Sequence, residues 1–184
     1  MNKPALRFAQ VIRKLDSVFR EASALVDENR REQLLSYVVL KIHDQWNFRC
    51  RQIVFESFGR SEKQMSETLR GRWGRSAMST GWEPDWHIPD VAIRAARILN
   101  VPDFVSIQNA LGAVTVIEDV RWTRNAIAHN IPVSFIKFRK MALSKYRIRN
   151  VMPYRLILEP NPVSGNTIYE DWCAELVGAL QVAK

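Results

Sequence analysis

Residues 124–130 read RNAIAHN, and three of them carry chemistry: Arg124, Asn125 and His129. An imidazole has an unperturbed pKa of about 6.5, so near neutral pH one ring can take a proton while another delivers one. A guanidinium keeps its charge and presents a fork of donors that matches phosphate oxygens. An asparagine amide can hold an imidazole in one tautomer. These groups suit cleavage of an RNA strand. One histidine removes the proton of a ribose 2′-OH, a second protonates the leaving 5′-oxygen, and arginines neutralise charge building on the phosphoryl oxygens. Each proton transfer contributes about 10²- to 10⁴-fold in rate. The route needs no metal and no cofactor, and the sequence shows no carboxylate cluster with ligand spacing.

These residues need a helix to place them. Ala113, Ile117, Val120, Arg124, Ile127 and Ile131 recur at helical spacing and form one stripe with Arg124 in its middle. A cation there must snorkel, find a carboxylate such as Glu118, Asp119 or Asp44, or face an arriving anion. His129 lies roughly 140° around the helix from Arg124 and shares a face with Asn125, Trp122 and Glu118. Pro132 disfavours helical geometry at Ile131, so His129 is expected in the last turn. On this reading Arg124 and His129 do not converge within one chain. Two copies across a two-fold axis would bring two arginines and two histidines together, which predicts a homodimer. The plainer account is an arginine paired inside the core and a histidine capping helix carbonyls.

The surroundings of the motif are strongly basic. The chain of 184 residues carries a net charge of +8, and its placement is uneven. Between Val120 and Leu158 stand nine basic residues (Arg121, Arg124, Lys137, Arg139, Lys140, Lys145, Arg147, Arg149 and Arg155) and no Asp or Glu. Elsewhere 18 basic residues face 19 acidic ones, so the tract holds all of the excess. Such a field attracts polyanions and speeds their arrival, and RNA is the expected partner. A second basic stretch, RGRWGRS, sets Arg70, Arg72 and Arg75 around Trp73, where a ring among arginines can stack on unpaired bases. Tryptophans there can equally pin a long loop to the core.

The composition is 47% hydrophobic and 25% charged, that of one globular domain over 1–184. No apolar run is long enough to span a membrane, and the first residues lack the apolar core of a secretory signal. Cys50 and Cys173 have no metal-ligand spacing and read as buried thiols of a cytoplasmic protein. The elements read as almost all helical. Helices are predicted from about Pro4 to Val26, from a capping box at Asn29 and Glu32 to Gly59, after Ser61, from Pro89 to Leu99, from Asp103 to Ala128 with a break near Gly112, from Pro132 to Tyr146, and after a second capping box at Thr167 and Glu170. Val151–Glu159 is the best strand candidate, forming a short hairpin near 151–166 with the turn Asn161–Gly165. The expected fold is therefore an all-α bundle of about five to seven helices.

Other candidates are weaker. Residues 95–111 have a helix-turn-helix pattern with Asn100 able to take a left-handed turn, but no Lys or Arg and three acids occur from Asp103 to Asp119, which suits DNA poorly. His43 and Asp44 read as a satisfied helix surface, and His87, in a loop before Ile88-Pro89, is assigned no chemistry.

The motif resembles the R-x4-6-H motif of HEPN domains, in which a polar residue, often Asn, follows the Arg. The segment LLSYVVLKIHDQWNFRCRQIVF resembles the long helix of the ribonuclease-associated branch, with Trp46 at its centre and Asn47 where that branch usually has Glu. The resemblance implies an all-α HEPN-like bundle, usually dimeric, with Arg124, Asn125 and His129 at the dimer interface. It implies a metal-independent endoribonuclease leaving 2′,3′-cyclic phosphate ends, of the toxin–antitoxin or antiviral-defence kind, with an antitoxin or defence-system protein as a further partner. Inactive members bind RNA or a protein through a basic surface, which is the alternative here.

Overall fold

A computed structural model describes residues 3–74, 82–129 and 131–183. The chain is all-helical, and no strand occurs among the described residues. Among the described residues eight α-helices follow in order: α1 Lys3–Ala24, α2 Glu28–Phe58, α3 Glu62–Trp73, α4 Pro89–Leu99, α5 Phe104–Gly112, α6 Ile117–His129, α7 Pro132–Tyr146 and α8 Ile168–Val182. A 3-10 helix, Pro153–Leu158, lies between α7 and α8. None of the described helices is long and apolar enough to cross a membrane.

The contacts divide the chain into two compact units. Unit 1 takes the start of α1, α2 from Trp46 onward, α3, α4, α5 and the end of α8 from Val177. Unit 2 takes the remainder of α1 and α2 together with α6, α7, the 3-10 helix and α8 up to Leu176.

In unit 1, Trp46 is fully buried, meets the edge of Phe8 at 6.3 Å and donates its indole N–H to the His87 carbonyl at 3.2 Å. That bond satisfies the one polar atom of a large core ring. Ala92, Ala95 and Ala96 give α4 a small, buried face, while Ile107 and Leu111 do the same work for α5 with larger side chains. Asn100 ends α4 in the left-handed conformation, φ 51° and ψ 49°, as its short polar side chain permits. The two ends of the chain's longest helix are set locally. Asp27, rather than Asn29, caps α2: its Oδ1 accepts from the Asn29 and Arg30 N–H groups at 3.0 and 3.2 Å. Aspartate caps as well as asparagine and adds a negative charge at the positive end of the helix. Gly59 closes α2 with φ 67°, as its lack of Cβ allows.

In unit 2, Phe19 stacks on Tyr169 with ring centres 4.1 Å apart, and the Tyr169 hydroxyl donates to Asp16 at 2.6 Å. Glu28 accepts from the Tyr154 hydroxyl and the Arg155 Nε, each at 3.0 Å, which ties the 3-10 helix to the start of α2. The Thr167–Glu170 capping box forms at α8 as the sequence predicts. The predicted strand does not form. Leu156 and Ile157 are adjacent and both fully buried, which a helical turn provides and a hairpin strand with one face in solvent does not. Pro153 adds a missing N–H and a fixed φ at the start of that turn. Of the hairpin only one bridge, Pro160 to Thr167, is present.

Candidate active site and basic surface

α6 carries the motif, and its position in unit 2 is set from its first turn. Glu175 of α8 accepts from the backbone N–H groups of Thr115 and Val116, the latter at 3.0 Å, and so satisfies donors that a helix start leaves open. Val120, Thr123 and Ala126 form the buried face. Asp119 lies on that face too, 4% exposed. Its Oδ2 accepts from the Lys145 ammonium and from the Tyr146 hydroxyl, and that hydroxyl accepts in turn from the Trp172 indole at 2.9 Å. Burial pushes the Asp119 carboxyl above its ordinary range, and the bonds from Lys145 and Tyr146 only partly offset it. The same burial and the neighbouring carboxylate push the Tyr146 phenol upward.

At the other end of α6 the three motif residues converge within one chain. Arg124 Nη1 donates to Asn125 Oδ1 at 3.1 Å and meets His129 Nε2 at 3.0 Å. This corrects the expectation that Arg124 and His129 diverge. The angular offset of 140° holds for Cβ directions, but the long arginine side chain wraps that arc while His129 closes the last turn. Arginine does not give up its proton, so Nε2 must accept, and the ring proton sits on Nδ1. Asn125 was expected to fix the tautomer, and Arg124 does so instead, with Asn125 orienting the guanidinium. Arg124 pairs with no carboxylate among the described residues: Glu118 holds Arg121, Asp119 holds Lys145, and Asp44 lies beside the buried His43. Arg124 is half-buried and its Nε has no partner among the described residues, whereas the His129 ring is exposed. The site is thus a fixed guanidinium with a reachable imidazole.

The basic tract sorts into two sets. Arg121 pairs with Glu118 at 2.8 Å and lies over the Trp122 ring, Lys145 is bound to Asp119, and Arg155 pairs with Glu28 at 2.7 Å. Lys137 sits over the other cation's ring, Trp122, at 4.5 Å. Arg139, Lys140, Arg147 and Arg149 are exposed and take part in no ion pair among the described residues. All four belong to α7 or its exit.

Arg70, Arg72 and Trp73 belong to unit 1. Trp73 lies against Trp82 at 5.2 Å and under the Arg94 guanidinium at 4.6 Å, and Arg94 also donates to its carbonyl at 3.1 Å. Arg72 reaches the Ile98 carbonyl at 3.5 Å. Arg75 lies outside the described residues. Two of the acids counted against the helix-turn-helix, Glu118 and Asp119, stand on α6 rather than α5, so α5 itself is uncharged. A groove of about 650 Å³ between α4 and α5 is lined by Arg94, Arg97, Gln108 and Asn109. Cys50 and Cys173 are free and buried, and burial raises both thiols.

Sequence reasoning missed the buried Asp119 network, because an acid next to Glu118 at a helix start reads as surface charge. It also missed a cleft beside α7, whose apolar lining comes from positions that no motif connects. No family model, no curated protein and no solved structure matches the chain.

Proposed function

We propose that the chain is a metal-independent endoribonuclease of the HEPN type, acting as a homodimer. The observation that carries this reading is the Arg124–Asn125–His129 cluster: a guanidinium held by an amide, in contact with an exposed imidazole nitrogen at a helix end. An incoming phosphodiester competes for Arg124. As the guanidinium turns to two phosphoryl oxygens it releases His129 Nε2, which is then free to accept the proton of the ribose 2′-OH. The 2′-oxygen attacks phosphorus and the bond to the 5′-oxygen breaks. Products are a 2′,3′-cyclic phosphate and a 5′-hydroxyl, the latter protonated by the second protomer's imidazole. Each chain brings a single His129, so the acid and the base come from two copies. The residues after the motif supply a surface for that pairing: Ile131, Val133 and Ile136 are 49%, 58% and 65% exposed.

A second reading is favoured by one fact, the prior occupation of Nε2 by Arg124. On that reading the module is inactive, and its unpaired α7 cations bind RNA or a protein. Labelled RNA incubated with protein and EDTA separates the two. The nuclease reading expects fragments with cyclic phosphate ends that disappear with His129→Ala. RNA that is bound and never cut decides for the inactive module. A toxin–antitoxin or defence role, in a cytoplasmic setting with a cognate partner protein, is part of the same proposal.

A further inference from the structure

The exit of α7 holds a feature that the active-site cluster does not use. Phe138 and Ala142 floor a cleft of about 230 Å³, Leu143 and Ile148 wall it, and Arg139 and Arg149 line it from exposed positions. The backbone here takes a conformation that side chains seldom adopt. Arg147 has φ 59° and Asn150 φ 56°. Arg147 caps α7: its N–H bonds to the Leu143 carbonyl at 3.2 Å, and the Ile148 N–H reaches the Ala142 carbonyl at 3.1 Å. Glycine fills such a position at lower cost, because it has no Cβ to crowd the carbonyl. An arginine there is held at the expense of backbone strain, one residue before Ile148 of the cleft wall.

The lining therefore combines an apolar slot with guanidinium groups at its edge and no acid to neutralise them. That chemistry fits neither an acidic peptide alone, which leaves the slot empty, nor a duplex, whose bases are stacked inside. The geometry points to a subsite for single-stranded RNA: one unstacked base enters between Leu143 and Ile148, and Arg139 and Arg149 take the flanking phosphates. The assignment rests on RNA being the partner, and it gives the proposed nuclease a preference for unpaired strands.

The test uses the full chain and a short fluorescein-labelled 2′-O-methyl RNA, which lacks the attacking hydroxyl and cannot be cut. The single strand is expected to bind at least about tenfold more tightly than the same sequence in a duplex. Arg149→Ala and Leu143→Glu should each weaken the single strand about tenfold. Arg149→Ala should also reduce the slope of log affinity against log salt by about 0.7. Arg139→Ala guards against misfolding: the residue is exposed and takes part in no ion pair among the described residues, so the melting temperature should hold while affinity falls. Equal binding of duplex and single strand overturns the inference, as does single-strand binding unchanged in all three variants. So does a dimer, seen by sedimentation, that Leu143→Glu dissolves without loss of RNA. The two readings fail separately. If wild type cuts RNA through His129 and the Leu143 and Arg149 variants cut with unchanged KM, the subsite is wrong and the active site stands. If the uncleavable strand binds wild type and not the variants, and no RNA is ever cut, the subsite stands and the nuclease falls.

Discussion

Asp119 and Arg124 stand on the same helix, and their surroundings differ in almost every respect. Asp119 is enclosed. Its carboxylate meets an ammonium and a phenol, the phenol meets an indole, and each polar group has its partner. Arg124 is less fully satisfied: its buried Nε has no partner among the described residues, one amide steadies its guanidinium, and an exposed ring lies at 3.0 Å. A closed network of this kind makes one arrangement of the core cheaper than its rivals and resists change. An open one has spare donors and little to lose when an anion displaces a neighbour. The difference teaches where to look for chemistry on α6: at the end where bonds are replaceable, and away from the enclosed carboxyl. A raised carboxyl is often a sign of function, but here the network accounts for it structurally.

Four substitutions would break or sharpen this contrast. The largest effect is expected at the open end. His129→Ala should lower RNA cleavage by about 10²- to 10⁴-fold and change the melting temperature little, as an exposed side chain outside the core. An unfolded variant, or one that cuts RNA normally, would remove the contrast at its root. Next comes the closed end. Asp119→Ala should cost about 2–3 kcal/mol in urea unfolding, because Tyr146 loses its acceptor and Lys145 its counter-charge, although Lys145 can turn to water.

The third expectation concerns pH. Burial raises the folded Asp119 carboxyl above the ordinary aspartate value of 3.8, so the folded state binds its proton more tightly than the unfolded state. Its contribution to stability is therefore greatest in acid and declines as pH rises through the folded value. The melting temperature of wild type relative to Asp119→Asn should fall across that window. A rise instead would mean that Lys145 outweighs burial. Glu83 and Asp171 have the opposite sign: arginine, indole, hydroxyl and amide donors hold them below their ordinary range, and their contribution is lost as pH falls. The smallest effect is expected at the start of α6. Glu175→Gln keeps an acceptor for Val116 but loses the charge, and should cost about 0.5–1 kcal/mol by thermal denaturation.

Much of the frame was legible in the sequence. Pro89 and Pro132 start helices, Gly59 and Asn100 end them, and Thr167 with Glu170 caps α8, because each of these signals acts within a turn of chain. What was not legible depends on partners far away in sequence. Leu156 and Ile157 read as strand by β-propensity, and only packing inside unit 2 makes a 3-10 turn of them. Asn29 read as the cap of α2, and Asp27 takes that place because the helix begins two residues earlier than its capping-box pattern suggests. At the candidate site, residue identity and spacing singled out Arg124, Asn125 and His129, but did not reveal their contacts. A helical wheel records directions and not reach, so the arginine's span along α6 was invisible. Which cations of the basic tract are free was equally hidden, since Lys145 and Arg155 are neutralised by acids 26 and 127 residues away.

The division of the chain has a consequence for its biosynthesis. Both units draw on α1 and α2 from the beginning and on α8 from the far side of the sequence. A ribosome that has released α1 to α7 has thus made neither unit whole: Trp172 and Tyr169 are still missing from one interior, Leu180 and Ala183 from the other. Local helices can flicker early, but cooperative closure must wait for α8, and until then greasy faces stay uncovered. Until α8 emerges, the nascent chain exposes apolar surface of the kind that chaperones cover.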